Sequence, residues 1–244
     1  MMYHIDLNSD VGEGVGNEAQ LAPLLSSCNI ACGGHAGDDA TIQETIQLAI
    51  AHNVKIGAHP GYPDKENFGR IIVDISVTAL RDSLKEQIVT VKNFAERQHQ
   101  KLHHVKVHGA LYNLAAVDVT IARLIIDVVQ EIDDQLVLYV PYQSVIQKEA
   151  KKRLKTKVEG FADRRYNNDY TLVSRTLPNA VIHHGLEVLD HIIPMIKEQQ
   201  LTTITGEKVP FQIDTLCVHG DTPAAFQILK EIHQGLKMHQ IHIQ

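Results

Sequence analysis

Four of the fifteen histidines, His35, His59, His108 and His219, stand at or just beyond the ends of short apolar runs, beside acids, bases and glycines. Imidazole accepts or donates a proton near neutral pH and is a common transition-metal ligand, so the set suits acid–base or metal chemistry. The polar stretches that end the runs read DLNSDVGEG (6–14), NIACGGHAGDD (29–39), GAHPGYPD (57–64), KVHGALYN (106–113), EGFADRRYN (159–167) and CVHGDTP (217–223). Asp6 and Asp10 supply carboxylates for a general base or a hard cation, with Asn8 and Glu13 beside them to hold a substrate. His35, His59 and Asp10 form the candidate metal set, although neither HExxH nor a paired CxxC is present. His108 and His219, each followed by glycine, suit stabilisation of an oxyanion, because glycine lets the backbone approach closely. Lys106 and the pair Arg164 and Arg165 offer cations for a carboxylate or phosphate, with Arg70 and Arg175 weaker candidates of the same kind; Asp163, Tyr112 and Tyr166 offer groups to orient it. Cys28, Cys32 and Cys217 read as small buried residues, the usual state of a free thiol.

These residues need elements to bring them together. Runs rich in β-branched residues predict strands near 3–7, 27–32, 54–58, 104–108, 135–140, 157–161 and 214–218. Helices are predicted over 40–52, where Thr41 and Glu44 fit a capping box, and over 76–98, 118–132, 143–154, 185–200 and 222–235. Strands alternating with helices argue for an α/β domain with parallel pairing. The strand faces narrow the choice. His4, Asp6, Asn8 and Asp10 share one face of the first strand while Ile5 and Leu7 share the other, and His104, Lys106 and His108 oppose Val105 and Val107. A doubly wound sheet covered on both sides would be apolar on both faces. The pattern instead predicts an irregular seven-stranded (β/α) TIM-like barrel over 1–244, with Asp6, Asn8, Lys55, Lys106, His108 and Glu159 inside. For the deepest of these a structural plug of ion pairs is the competing role, since buried charges must be paired.

The whole-chain arithmetic excludes other classes. Of 244 residues, 44% are hydrophobic and 21% charged, as in ordinary globular proteins, and the net charge of −6 disfavours nucleic acid as a partner. No apolar run approaches the ~18 residues of a membrane span, and three cysteines without an export signal point to a cytoplasmic address. Neither GxxxxGK[ST] nor a GxGxxG opening a helix occurs, so nucleotide binding by a standard loop is not expected.

Taken in order, DLNSDVGE, NIACGGHAGD, GAHPGYPD, ENFGR, VKVHGALYN, GFADRRY, TITGE and LCVHGD resemble the LamB/YcsF family of 5-oxoprolinase A subunits along nearly the whole chain. The resemblance implies a barrel related to the glycoside hydrolase/deacetylase fold. It also implies ATP-dependent opening of 5-oxo-L-proline to L-glutamate, giving ADP and phosphate, together with partner subunits B and C. ATP, with Mg2+, would then sit on the partners, and a divalent metal in this chain is left open. The family pattern falls on Asp6, Asn8, Asp10, Glu13, His35, Asp38, His59, Asp64, Arg70, Lys106, His108, Tyr112, Asp163, Arg164, Tyr166, His219 and Asp221. Gly34, Val107 and Ser174 depart from it. The competing activity is a stand-alone, metal-dependent amide or N-acetyl hydrolase built on His35, His59 and an aspartate.

Overall fold

The computed structural model describes residues 2–244. Strands β1 (Tyr3–Val11), β2 (Ser27–Ala31), β3 (Lys55–His59), β4 (His104–Val105), β5 (Val137–Pro141) and β6 (Lys155–Phe161) pair in chain order, each parallel to the next. β7 (Gln200–Thr202) and β8 (Lys208–Pro210) form a separate antiparallel hairpin. β9 (Thr215–Cys217) pairs with both β6 and β1, and so closes a seven-stranded parallel barrel. β10 (Ile241–Ile243) adds to the lower end of β1, with Ile241 opposite Tyr3.

Helices α1 (Glu18–Leu21), α2 (Asp39–Ala51), α3 (Val77–Arg97), α4 (Gly109–Ala115), α5 (Val119–Ile132), α6 (Val145–Ala150), α7 (Gly185–Lys197) and α8 (Ala225–Met238) accompany the strands. α3 shows why. Leu80, Leu84, Ile88, Val91 and Ala95 recur at helical spacing and are all buried, each large aliphatic chain contributing about 1.5–3 kcal/mol. Ser76 caps this helix by accepting from Ala79 N at 3.2 Å. No single helix among the described residues is long and apolar enough to cross a membrane.

Several ends differ from the sequence expectation. Asp38, and not a Thr41–Glu44 box, caps α2: its Oδ1 accepts from Thr41 N at 2.8 Å. The helix expected over 143–154 is confined to Val145–Ala150. β4 is only two residues long, yet Lys106 N and His108 N still donate to the carbonyls of Ala58 and Pro60, at 3.0 and 2.8 Å. The alternation of 104, 106 and 108 toward the lumen therefore survives beyond the strand. The short helices α1 and α4, the hairpin and β10 were not expected, because each is too short to show a period.

The polar inner faces stack in three levels. At the bottom, Asp6 accepts from Ser27 Oγ (2.7 Å) and Thr215 Oγ1 (2.6 Å), and pairs with Lys55 and Lys157, each at 3.3 Å. In the middle, Asn8 donates to Thr215 and accepts from Asn29, and His104 Nε2 donates to Asn29 Oδ1 at 2.9 Å. Asp10 and Lys106 form the top. Ile5 and Leu7, on the opposite face of β1, are buried in the hydrophobic core.

Candidate active site at the upper end of the barrel

The top level is an ion-paired floor. Lys106 Nζ lies 2.9 Å from both Asp10 Oδ1 and Glu159 Oε1, and 3.2 Å from Cys217 Sγ. Burial opposes both charges, but His59 and Lys106 hold the Asp10 carboxyl well below its ordinary range. Asp10 in turn holds Lys106 well above its own, against the same burial. Both are ionised at neutral pH. Cys217 goes the other way: burial pushes its thiol up, which makes it a packing residue and not a nucleophile.

One wall beside this floor is made of imidazoles. His59 comes from the end of β3, His108 from the segment before α4, His35 from the loop after β2, and Glu13 from the loop after β1. His59 Nδ1 donates to the carbonyl of Lys106 at 2.7 Å, and His108 Nε2 donates to the carbonyl of Phe68 at 2.9 Å. Their other nitrogens, His59 Nε2 and His108 Nδ1, face each other at 3.0 Å. Glu13 Oε1 lies 3.0 Å from His35 Nε2, 3.4 Å from His108 Nδ1 and 3.9 Å from His59 Nε2. Burial, reinforced by Asp10, raises Glu13 to about 7, while burial and His59 lower His35 to about 3. His108 is likewise held neutral by burial and its neighbours. Among the described residues, Glu13, His35, His59 and His108 place one ligand atom each within 4.8 Å of the others, so a metal ion is compatible with the donor set.

The opposite wall is a dyad. Asp163, fully buried after β6, lies 2.9 Å from His219 Nδ1 and also accepts from Thr222 Oγ1. Burial opposes its ionisation, but His219 and these hydrogen bonds bring its pKa below the usual value. An ionised carboxylate only accepts, so Nδ1 carries a proton, and in the neutral ring Nε2 presents a lone pair. Phe161 stacks on the His219 ring at 5.0 Å and fixes its plane. Between the walls opens a cavity of about 350 Å3 lined by Asp10, Glu13, His59, Lys106, His108, Tyr112 and His219. Arg70, Arg164 and Arg175 line the same cavity, with Asp221 among them. Arg70 pairs with Asp221 and rests over the Phe68 ring. Arg164 donates to the carbonyl of Val173 at 2.6 Å, its Nε is unpaired, and burial with Arg175 nearby lowers it to about 10, still cationic. The volume matches a small ligand, and the cations match an anionic one.

The structure sorts the sequence candidates. Asp10, Glu13, His59, Arg70, Lys106, His108, Tyr112, Arg164 and His219 line the cavity, and His35 stands directly behind Glu13. Asp6 and Asn8 do not reach it; they are consumed in the lower levels, as the competing ion-pair plug required. Tyr166 spends its hydroxyl on Phe161 N at 2.8 Å and lines a neighbouring cavity. Asp163, expected on the substrate, orients His219 instead. Asp38 caps α2, and Asp64 bonds Asn67 within its own loop. Two residues gain weight. Arg175, like Arg70 a weaker sequence candidate, joins the cavity lining, and Glu159 holds Lys106 from below. The sign for Glu159 was present in β6, whose alternation places 157, 159 and 161 on one face. A larger cleft, of about 900 Å3, opens elsewhere between residues of α2, α3 and β3, but none of the strand-end histidines lines it.

Residues 5–244 match the profile of the LamB/YcsF family. A protein from Limosilactobacillus fermentum named as the A subunit of 5-oxoprolinase is 42% identical over 249 residues, covering 100% of this chain and 99% of its own. The crystal structure of the lactam utilization protein from Thermus thermophilus superposes with a TM-score of 0.93 at 34% identity, covering 99% of each chain. A structure described as T48 deacetylase with substrate has a TM-score of 0.52 at 11% identity, covering 100% of this chain and 88% of that one, and shares the fold alone. With the family profile spanning almost every residue and the polar strand ends gathered on one cavity, the chain belongs to the LamB/YcsF family.

Proposed function

We propose that this chain is the lactam-opening subunit of an ATP-dependent 5-oxoprolinase. The observation that carries the reading is the Asp163–His219 dyad, whose free Nε2 faces a small cavity rimmed by three arginines. Relatives named as the A subunit of 5-oxoprolinase support it. A five-membered lactam is a stable amide, so its carbonyl must be activated before water attacks. In this reading the partner subunits B and C, holding ATP with Mg2+, would transfer a phosphoryl group to the lactam oxygen.

The chain's own groups then act on the activated ring. Arg70, Arg164 and Arg175 hold the carboxylate and the phosphoryl oxygens at the mouth. His219 Nε2 takes a proton from water as its oxygen bonds to the ring carbonyl carbon, and returns it to the nitrogen as the C–N bond breaks. The product of that step is an acyl phosphate, and a second water releases phosphate and glutamate, which balances the consumption of two waters per ATP. Lys106, held cationic by Asp10 and Glu159, supplies positive charge under the developing oxyanion. Reconstitution with the partner subunits tests the reading: glutamate must form from 5-oxoproline only when this chain and ATP are both present. ATP-independent release of an amine or acetate by this chain alone would replace it with the stand-alone hydrolase, which the imidazole–carboxylate wall favours.

A further inference from the structure

We propose that Glu13, His59 and His108 form a three-ligand site for one divalent transition-metal ion, with His35 holding Glu13 from behind. Hydrogen bonding first fixes where the protons are. A backbone carbonyl can only accept, so the outer nitrogens of His59 and His108, bonded to the carbonyls of Lys106 and Phe68, both carry protons. In the neutral rings the inner nitrogens, His59 Nε2 and His108 Nδ1, are then two lone pairs pointed at each other across 3.0 Å. Such a contact is repulsive unless a positive centre sits between them, either a proton or a metal ion.

Distances favour the ion. Two ligands about 2.0–2.1 Å from a tetrahedral centre lie about 3.3–3.4 Å apart. The three edges of the triangle are 3.0 Å between the imidazoles, 3.4 Å from Glu13 to His108 and 3.9 Å from Glu13 to His59, and they bracket that value. Two imidazoles with one carboxylate select zinc, cobalt or a similar ion over magnesium. All three ligands line the cavity, so the remaining coordination position opens toward the substrate.

His35 is excluded from the ligand set by its orientation. Its ring lies parallel to that of His108, 2° apart at 3.6 Å, and one ion cannot sit in the planes of two rings stacked face to face. His35 Nε2 instead meets Glu13 Oε1 at 3.0 Å, the place of an outer donor that orients a ligating carboxylate. The set therefore differs from the His35, His59 and Asp10 expected from sequence: Asp10 Oδ2 stands 3.4 Å from His59 Nε2, but its other oxygen is committed to Lys106 and Asn29.

The test reads metal, not turnover, so its outcome is independent of whether the chain opens a lactam. The purified full chain is stripped with a chelator and titrated with Zn2+ by calorimetry and with Co2+ by visible absorption, circular dichroism confirming that each variant is folded. The wild type binds one ion per chain, and Glu13→Gln and His108→Ala each weaken binding at least about 100-fold. His35→Ala weakens it about 10- to 100-fold, and His219→Ala leaves it unchanged. Absence of stoichiometric binding in the wild type, or binding that survives both Glu13→Gln and His108→Ala, overturns the proposal and leaves a shared proton between the two rings.

Discussion

Asp163 and Asp6 are both buried aspartates, and their neighbours give them opposite tasks. Asp163 fixes the tautomer of His219. Asp163→Asn keeps the shape but not the charge, so kcat for glutamate formation falls by about 100-fold or more while KM changes little; steady-state kinetics of the reconstituted enzyme separate the two. Asp6 serves the fold. Burial opposes its ionisation, but Lys157 and the hydroxyls of Thr215 and Ser27 outweigh it and lower the pKa. A carboxyl lowered on folding stabilises the native state above its unfolded value of about 3.9, and that contribution is lost as pH falls through the folded value. Asp6→Asn therefore costs roughly 1–3 kcal/mol at pH 7, less than breaking a fully buried pair because both lysines reach solvent. It also flattens the acid limb of the stability curve, as urea titrations from about pH 3 to 7 will read. From sequence, both residues carried functional roles, since alternation shows which face a residue is on but not how deep it lies in the lumen. The separation of 56 positions from Asp163 to His219 likewise hid their pairing.

At the level of elements, α3 carries a second duty besides closing the core. Gln87, on its buried face, donates to the carbonyl of Gly61 at 2.9 Å and accepts from Gly61 N at 3.0 Å, clamping the loop that follows β3 and His59. Its amide occupies the space a side chain at position 34 would need: a Cβ there would collide with Gln87 Oε1. Gly34 and Gln87 are thus matched to each other in this chain. Gly34→Ala is expected to destabilise by about 1–3 kcal/mol, because the amide must leave Gly61 to make room. The double variant with Gln87→Ala should cost less than the sum of the two singles; thermal melts of all four proteins decide it, and strict additivity would rule out this coupling. Long elements such as α3 were legible because five buried residues keep one period. The loop from 162 to 184, which supplies Arg164 and Arg175 with only isolated bridges, has no period to read.

For the molecule as a whole, the choice of a barrel over an open sheet rested on strands with one polar face, and β9 pairing with β1 is the closure that choice required. The same polar face divides by height into a hydrogen-bonded lower half and an upper rim that lines the cavity. That division is the central claim, and it makes the site a property of the closed ring rather than of any one motif. Its most direct test is kcat for glutamate formation by the reconstituted enzyme, comparing His219→Ala with Asp6→Asn at a temperature where both are folded. His219→Ala is predicted to lose activity about 100-fold or more even where it is folded, although removing the partner of buried Asp163 lowers its melting temperature. Asp6→Asn should melt lower and keep kcat within about twofold of wild type. Near-normal turnover in His219→Ala, or a collapse of kcat in folded Asp6→Asn, would contradict it.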